Sequence, residues 1–214
     1  MAYLINWRFD NDEEIIRADL IGGNKEFGVS VEWEGRVVRD ANLTFCFMTG
    51  IRIEGPLLAA LPHTARVELN LDGSLPDVGP GLQSSWIVSQ TFVDIAETLE
   101  PGKHQFFAIE GVDASTGRPL SRKLYLLNVL TRVGATVIEQ SDVIIKRMPS
   151  GSDVIQPRLP VRRMTLEKSL ISNLHLWRGG AWDLADSTFC SDSFFQAMSA
   201  AGIRGLSYLK CDEI

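Results

Sequence analysis

TFCSDSFFQAMSAAGIRGL, residues 188 to 206, holds a short apolar strand, a helix start, one helical face, a stop and the beginning of a second strand. Thr188-Phe189-Cys190 reads as the strand. Ser191 follows as the N-cap, where a hydroxyl can accept one of the backbone N–H groups that the first helical turn leaves unpaired. Asp192 adds a negative charge where the helix dipole favours it. Phe194, Phe195 and Met198 recur at helical spacing and form one apolar face, which must be buried against other structure. Gly202 suits the position just past the last turn, and Gly205 to Leu209 returns as a strand.

The same grammar occurs earlier. WIVSQTFVDIAETLEPG, residues 86 to 102, gives the strand Trp86-Ile87-Val88, the N-cap Ser89, a helical face of Phe92, Ile95, Ala96 and Leu99, and a stop at Pro101-Gly102. The two units align as Val88-Ser89-x-x-Phe92 and Cys190-Ser191-x-x-Phe194, with a poor match elsewhere. Duplication and reuse of one capped-helix design both account for the pair. In either case each helix has to lay its aromatic face on a sheet.

Strand patterns dominate the rest. Val29, Val31 and Trp33 alternate with polar residues before a turn at Glu34-Gly35 and a return through Val37-Val38, which predicts a hairpin. Leu43, Phe45 and Phe47 form another alternation, and so do Val67, Leu69 and Leu71 before Asp72-Gly73. Gly55 to Pro62 predicts a short helical turn bounded by prolines. Gly73 to Gln83 is dense in Pro and Gly and predicts a loop, a natural subdomain boundary. Phe106 to Ile109 and Leu124 to Val129 predict two strands joined by the turn chemistry of Asp113 to Pro119. Val137-Ile138 and Val143 to Ile145 predict short strands, and MPSGSDVIQPRLP, residues 148 to 160, an exposed loop. Arg162 to Glu167 alternates weakly and Leu174 to Trp177 more clearly. The fold class expected is α+β, mostly antiparallel strands with a few short helices, including two Ser-capped helices packed on sheet. The expected division is a β-rich subdomain over 1–80 and an α+β subdomain over 81–214.

With 214 residues, 45% of them apolar and 22% charged, the chain has the usage of an ordinary globular protein. The net charge of −6 argues against nucleic acid as a partner, because that affinity rests on Lys and Arg neutralising phosphates, and it suits a basic protein partner. The charge is uneven: Asp10, Asp12, Glu13, Glu14 and Asp19 lie early, while Arg158, Arg162, Arg163 and Lys168 gather later. No apolar run approaches the length of a membrane span, and the acidic opening MAYLINWRFDNDEE is unlike a secretory leader, so cytoplasmic residence without membrane contact is expected. Cys46, Cys190 and Cys211 are odd in number, widely spaced and without a CxxC pair, which fits reduced thiols in apolar strands.

Catalytic and metal chemistry find little footing. His63, His104 and His175 stand in three different contexts without a metal-ligand partner at helical or hairpin spacing. A strand over Leu174 to Arg178 sends His175 and Trp177 to one face, where His175 could serve an interface or an acid–base step. Cys190 next to Ser191 at a helix start could have a lowered thiol pKa, whereas burial in the strand would raise it. Gly22-Gly23 before Asn24-Lys25 forms neither a Walker loop nor G-x-G-x-x-G, and G-x-S-x-G is absent. No catalytic, cofactor-binding or metal residue is assigned. Trp33, Trp86, Trp177 and Trp182 read as core or rim anchors.

Ile171-Ser172-Asn173-Leu174-His175-Leu176-Trp177-Arg178, then Thr188 to Ser191, then Ala200-Ala201-Gly202-Ile203-Arg204-Gly205-Leu206 resemble immunity-protein family eleven of bacterial polymorphic toxin systems. Trp86 to Ser89 with its helix, and Leu124 to Val129, resemble that family's central part, so the likeness covers roughly residues 84 to 211. The resemblance implies a cytoplasmic protein that binds a cognate toxin and is not an enzyme. It transfers no binding residues, since the matching positions read as strands and caps. Two other readings compete: a small enzyme using His175 with Cys190 or Ser191, and a structural protein that self-associates, as a homodimer, through strand edges or Trp-bearing segments.

Overall fold

The computed structural model describes residues 1–7, 31–33, 46–47, 49–59, 61, 64–67, 75–81, 85–113, 115–149, 151–180 and 183–214. In chain order the elements are β1 (Ala2–Trp7), β2 (Val31–Trp33), α1 (Pro56–Ala59), β3 (Thr64–Val67), β4 (Val78–Pro80), β5 (Trp86–Ser89), α2 (Gln90–Leu99), β6 (Gln105–Asp113) and β7 (Leu124–Asn128). There follow β8 (Arg132–Val133), a 3₁₀ turn (Ile138–Gln140), β9 (Val143–Arg147), β10 (Asp153–Pro157), β11 (Thr165–Leu166), α3 (Lys168–Ile171) and β12 (Leu176–Gly179). The last are β13 (Thr188–Ser191), α4 (Asp192–Ala200), β14 (Leu206–Lys210) and β15 (Asp212–Glu213). The fold is α+β and mostly antiparallel, as the sequence pattern predicts.

Two larger sheets organise it: β14-β1-β13-β12-β8 and β2-β3-β6-β7-β5-β4. In the second sheet β5 leads through α2 to β6, and β7 lies between them, antiparallel to both. In the first, β13 leads through α4 to β14, and β1 lies between them, again antiparallel to both. The two Ser-capped units therefore share one split strand–helix–strand arrangement. They differ in where the middle strand comes from, after the unit for β7 and far before it for β1. Both sheets draw strands from each side of residue 80.

Alternation along the strands sorts side chains into three cores. Tyr3 and Ile5 of β1, Trp86 and Val88 of β5, Leu127, Leu176 and Cys190 face a central core together with Phe92, Val93 and Ala96 of α2 and Phe194 and Met198 of α4. The opposite face of β5 and β7, through Ile87, Leu124 and Leu126, packs on Phe47, Ile53 and Leu61. The opposite face of the other sheet, through Leu4, Trp177 and Phe189, packs on Met164, Leu166 and Ile171. Each large sheet is thus apolar on both faces, and the central core, where Phe92 and Phe194 meet edge to face at 5.6 Å, joins the two units.

A polar seam joins them again. Asp77 and Val78 donate backbone N–H bonds to Arg204 O, and Asp77 accepts from Arg204 N at 3.0 Å while pairing with Arg122. Gly205 passes here with φ +94, and a Cβ on it would lie 2.2 Å from Val78 O, so a glycine is required before the last long strand.

Several expectations need correction. Cys46 and Phe47 are helical, not strand, so Cys46 is not a strand thiol; Leu43 and Phe45 lie outside the described residues. Of the hairpin expected over 29–38, Val31–Trp33 is strand and the remainder is outside the described residues, as are Leu69 and Leu71 beyond β3. Within the 73–83 stretch, Val78–Pro80 forms β4, tolerated because an end strand can accommodate a proline that cannot donate. Ile138 begins a 3₁₀ turn, not a strand. Within 148–160, Asp153–Pro157 forms β10 against β9, because Gly151 at φ +87 closes a tight hairpin. β1 and α3 carry no clear signal in the sequence.

Candidate functional site

The residues suspected of chemistry converge where α2 ends and α4 begins. Ser89 and Ser191 both act as caps, their Oγ atoms accepting from Phe92 N at 3.4 Å and Phe194 N at 3.2 Å. His175, just ahead of β12, places Nδ1 2.9 Å from Ser191 Oγ and 2.9 Å from Ser193 Oγ, and the two hydroxyls are 2.9 Å apart. The sequence separates His175 and Ser191 by sixteen positions; antiparallel pairing of β12 with β13 brings them together, with Ser191 N donating to His175 O.

Cys190 goes the other way. Strand alternation turns its side chain into the central core, where it is fully buried. Burial, reinforced by Cys211 and Asp192, pushes its thiol far above the ordinary range. It cannot serve as a thiolate nucleophile at neutral pH. Cys46, Cys190 and Cys211 are all buried and none is in a disulfide, and burial pushes Cys211 up to about 12.

Beneath the His175 cluster sits Glu100, the C-cap of α2, with no exposed surface. Its carboxylate accepts from His175 N at 3.1 Å and Leu176 N at 2.9 Å, and it pairs with His104 Nε2 at 3.0 Å and Lys103 Nζ at 3.2 Å. Burial alone would raise its pKa, but the His104 bond and the two backbone N–H bonds together outweigh burial and hold the carboxyl at about 2. Sequence reasoning missed it. Glu100 falls between the helical face ending at Leu99 and the Pro101-Gly102 stop, and nothing in the sequence marks the backbone donors 75 and 76 residues away.

A buried arginine, Arg178, and a half-buried one, Arg132, were missed as well. Arg178 Nη1 donates to Phe47 O at 2.9 Å, and Arg132 Nη1 to Ala185 O at 2.9 Å and Gly179 O at 3.2 Å. Burial, then the neighbouring Arg178 charge, lowers Arg132 to about 10 against the opposing pull of Asp186. Their Nη groups donate to backbone carbonyls, both arginines reaching Phe47 O, while both Nε atoms are buried without a hydrogen-bond partner among the described residues, so the pair staples the helical turn at Cys46–Phe47.

Chemically, a serine hydroxyl beside an imidazole is half of an acyl-transfer centre. Among the described residues no carboxylate bonds the His175 ring, and Ser191 Oγ already accepts the Phe194 N–H, so the arrangement fixes β12, β13 and α4 to one another. No group of three or more His, Cys, Asp or Glu able to hold a metal occurs among the described residues. Trp86 and Trp177 are buried in cores, which removes them as surface anchors; His63 and Trp182 lie outside the described residues.

The family model described as "Immunity protein family (Imm11)" matches residues 54–213. No curated protein matches the chain. The match spans both Ser-capped units, Glu100, Arg132, Arg178 and the His175 cluster.

Proposed function

The chain belongs to the Imm11 immunity protein family, and from that premise we propose that it binds and neutralises a cognate protein toxin, without catalysing a reaction, in the bacterial cytoplasm. The observation that carries the reading is the family match over residues 54–213. Two features support it. The net charge of −6 favours long-range attraction of a basic toxin, an effect that salt screens beyond roughly 10 Å. The residues that could do chemistry are committed to structure, Ser191 as a cap and Cys190 in a core. Among the described residues no helix is long and apolar enough to cross a membrane. Affinity-tagged protein should retain the product of an adjacent toxin-like gene through a size-exclusion column; passage of every neighbouring product without retention contradicts the proposal.

The His175–Ser191 distance of 2.9 Å favours one other reading, a serine hydrolase. A fluorophosphonate probe separates the two. We expect no labelling of Ser191, and we expect Ser191→Ala to retain toxin binding while losing about 1 kcal/mol of stability in urea unfolding, the usual cost of an N-cap. Covalent labelling that maps to Ser191 and disappears in His175→Ala would establish the enzyme instead.

A further inference from the structure

We propose that the β9–β10 ribbon is a docking edge, and that an acidic, extended segment of the toxin adds to β9 as a further strand. The toxin's identity as partner rests on the reading above. The ribbon is a sheet of its own, with β10 as the only strand partner of β9 among the described residues. The Met148 N–H bond to Ser152 O and the Arg158 N–H bond to Asp142 O fix the phase of the ladder. In that phase Ile144 and Lys146 exchange backbone bonds with β10, while the N–H and C=O groups of Ile145 and Arg147 point along the outer edge. Such an edge is a template for another strand.

Side chains at this edge are unusually apolar for their exposure. Ile145 is 58% exposed and Ile144 40%, and successive residues of a strand lie on opposite faces. A partner laid on one face would cover one isoleucine, whereas an added strand flanks both. Leu159, 56% exposed, extends the apolar surface beyond β10. The ribbon is also held in place. Val143 is buried in the core beneath it, and Leu184 N donates to Ile155 O at 3.1 Å, so the edge needs little ordering on binding.

Charge selects the occupant. Between residues 143 and 163 the exposed cations Lys146, Arg147, Arg158, Arg162 and Arg163 face a single carboxylate, Asp153, in a chain whose net charge is −6. Asp153 pairs with Arg147 at 3.2 Å, and Asp142, next to the ribbon, accepts the backbone N–H groups of Arg162 and Arg163. Two copies paired edge to edge would set cations against cations, which disfavours a second copy. Exposed isoleucines and an open backbone edge suit a peptide strand better than a phosphate chain.

The Ile145 N–H faces outward, so Ile145→Pro blocks strand addition without removing a ladder bond. Two probes test the wild type, this variant and Arg158→Glu/Arg162→Glu by fluorescence anisotropy: a labelled peptide of alternating Glu and Val, and its Lys/Val counterpart. A labelled single-stranded RNA is a third arm. The acidic peptide should bind at least about tenfold more tightly than the basic one and weaken about tenfold or more in either variant. Equal binding of the two peptides, an unchanged Ile145→Pro, or RNA bound more tightly than the acidic peptide overturns the proposal. A toxin retained equally by wild type and Ile145→Pro refutes the ribbon alone and leaves the immunity reading intact. Acidic-peptide binding with the predicted losses, but no toxin retained, supports the ribbon as an acidic-strand site and counts against the immunity reading.

Discussion

Replacing Glu100 with alanine is expected to destabilise the protein by about 3–5 kcal/mol in urea unfolding, the cost of removing a buried carboxylate from the donors that surround it. The substitution strands the backbone N–H groups of His175 and Leu176 and removes the acceptor for His104 and Lys103. It also cuts a tie between the first unit and the sheet of the second, since Glu100 caps the end of α2 while His175 and Leu176 lie at the start of β12, the neighbour of β13. The pH dependence has a definite sign. With the folded carboxyl at about 2 and the unfolded one near 4.5, the stabilisation is complete above pH 4.5 and is lost as the pH falls from there toward 2. Wild type should therefore lose stability across that window, and Glu100→Ala should show a flatter profile. A loss below about 1 kcal/mol, or parallel acid profiles, would show that Glu100 does not hold the junction.

The aromatic contact between the helices carries the second large effect. Phe92→Ala and Phe194→Ala each remove a side chain with no exposed surface, and about 3–5 kcal/mol is expected for either. Because the rings meet edge to face at 5.6 Å, the double variant should lose less than the two single losses combined, by about 0.5–1.5 kcal/mol. Strict additivity within about 0.3 kcal/mol would mean that the two capped units stand independently in the central core.

The Ser-capped units are legible because each signal is local: the cap, the aromatic at the third helical position and the stop lie within one short window. Their mutual contact is not local. Phe92 and Phe194 reveal helical faces that need burial, but nothing in the sequence says that each helps to bury the other. β1 escapes notice because Ala2, Tyr3, Leu4 and Ile5 are all buried, so the strand between β13 and β14 shows no alternation. β4 and β10 are hidden by prolines that end strands accept. At the candidate site, the sequence singles out His175, Ser191 and Cys190, and strand pairing separates them: His175 meets Ser191, while Cys190 turns inward. Of the ribbon, Val143 to Ile145 reads as a short strand and residues 148 to 160 as a breaker-rich loop, so the open edge becomes visible only once β10 supplies the register.

Growth rescue tests the central claim most directly. An inducible copy of the adjacent toxin-like gene is expressed in bacteria with and without this chain, and colony formation is counted. The proposal predicts that the toxin alone stops growth, that this chain restores it, and that Ser191→Ala restores it as well. Growth arrest by the toxin that this chain fails to relieve, despite equal expression, would contradict it.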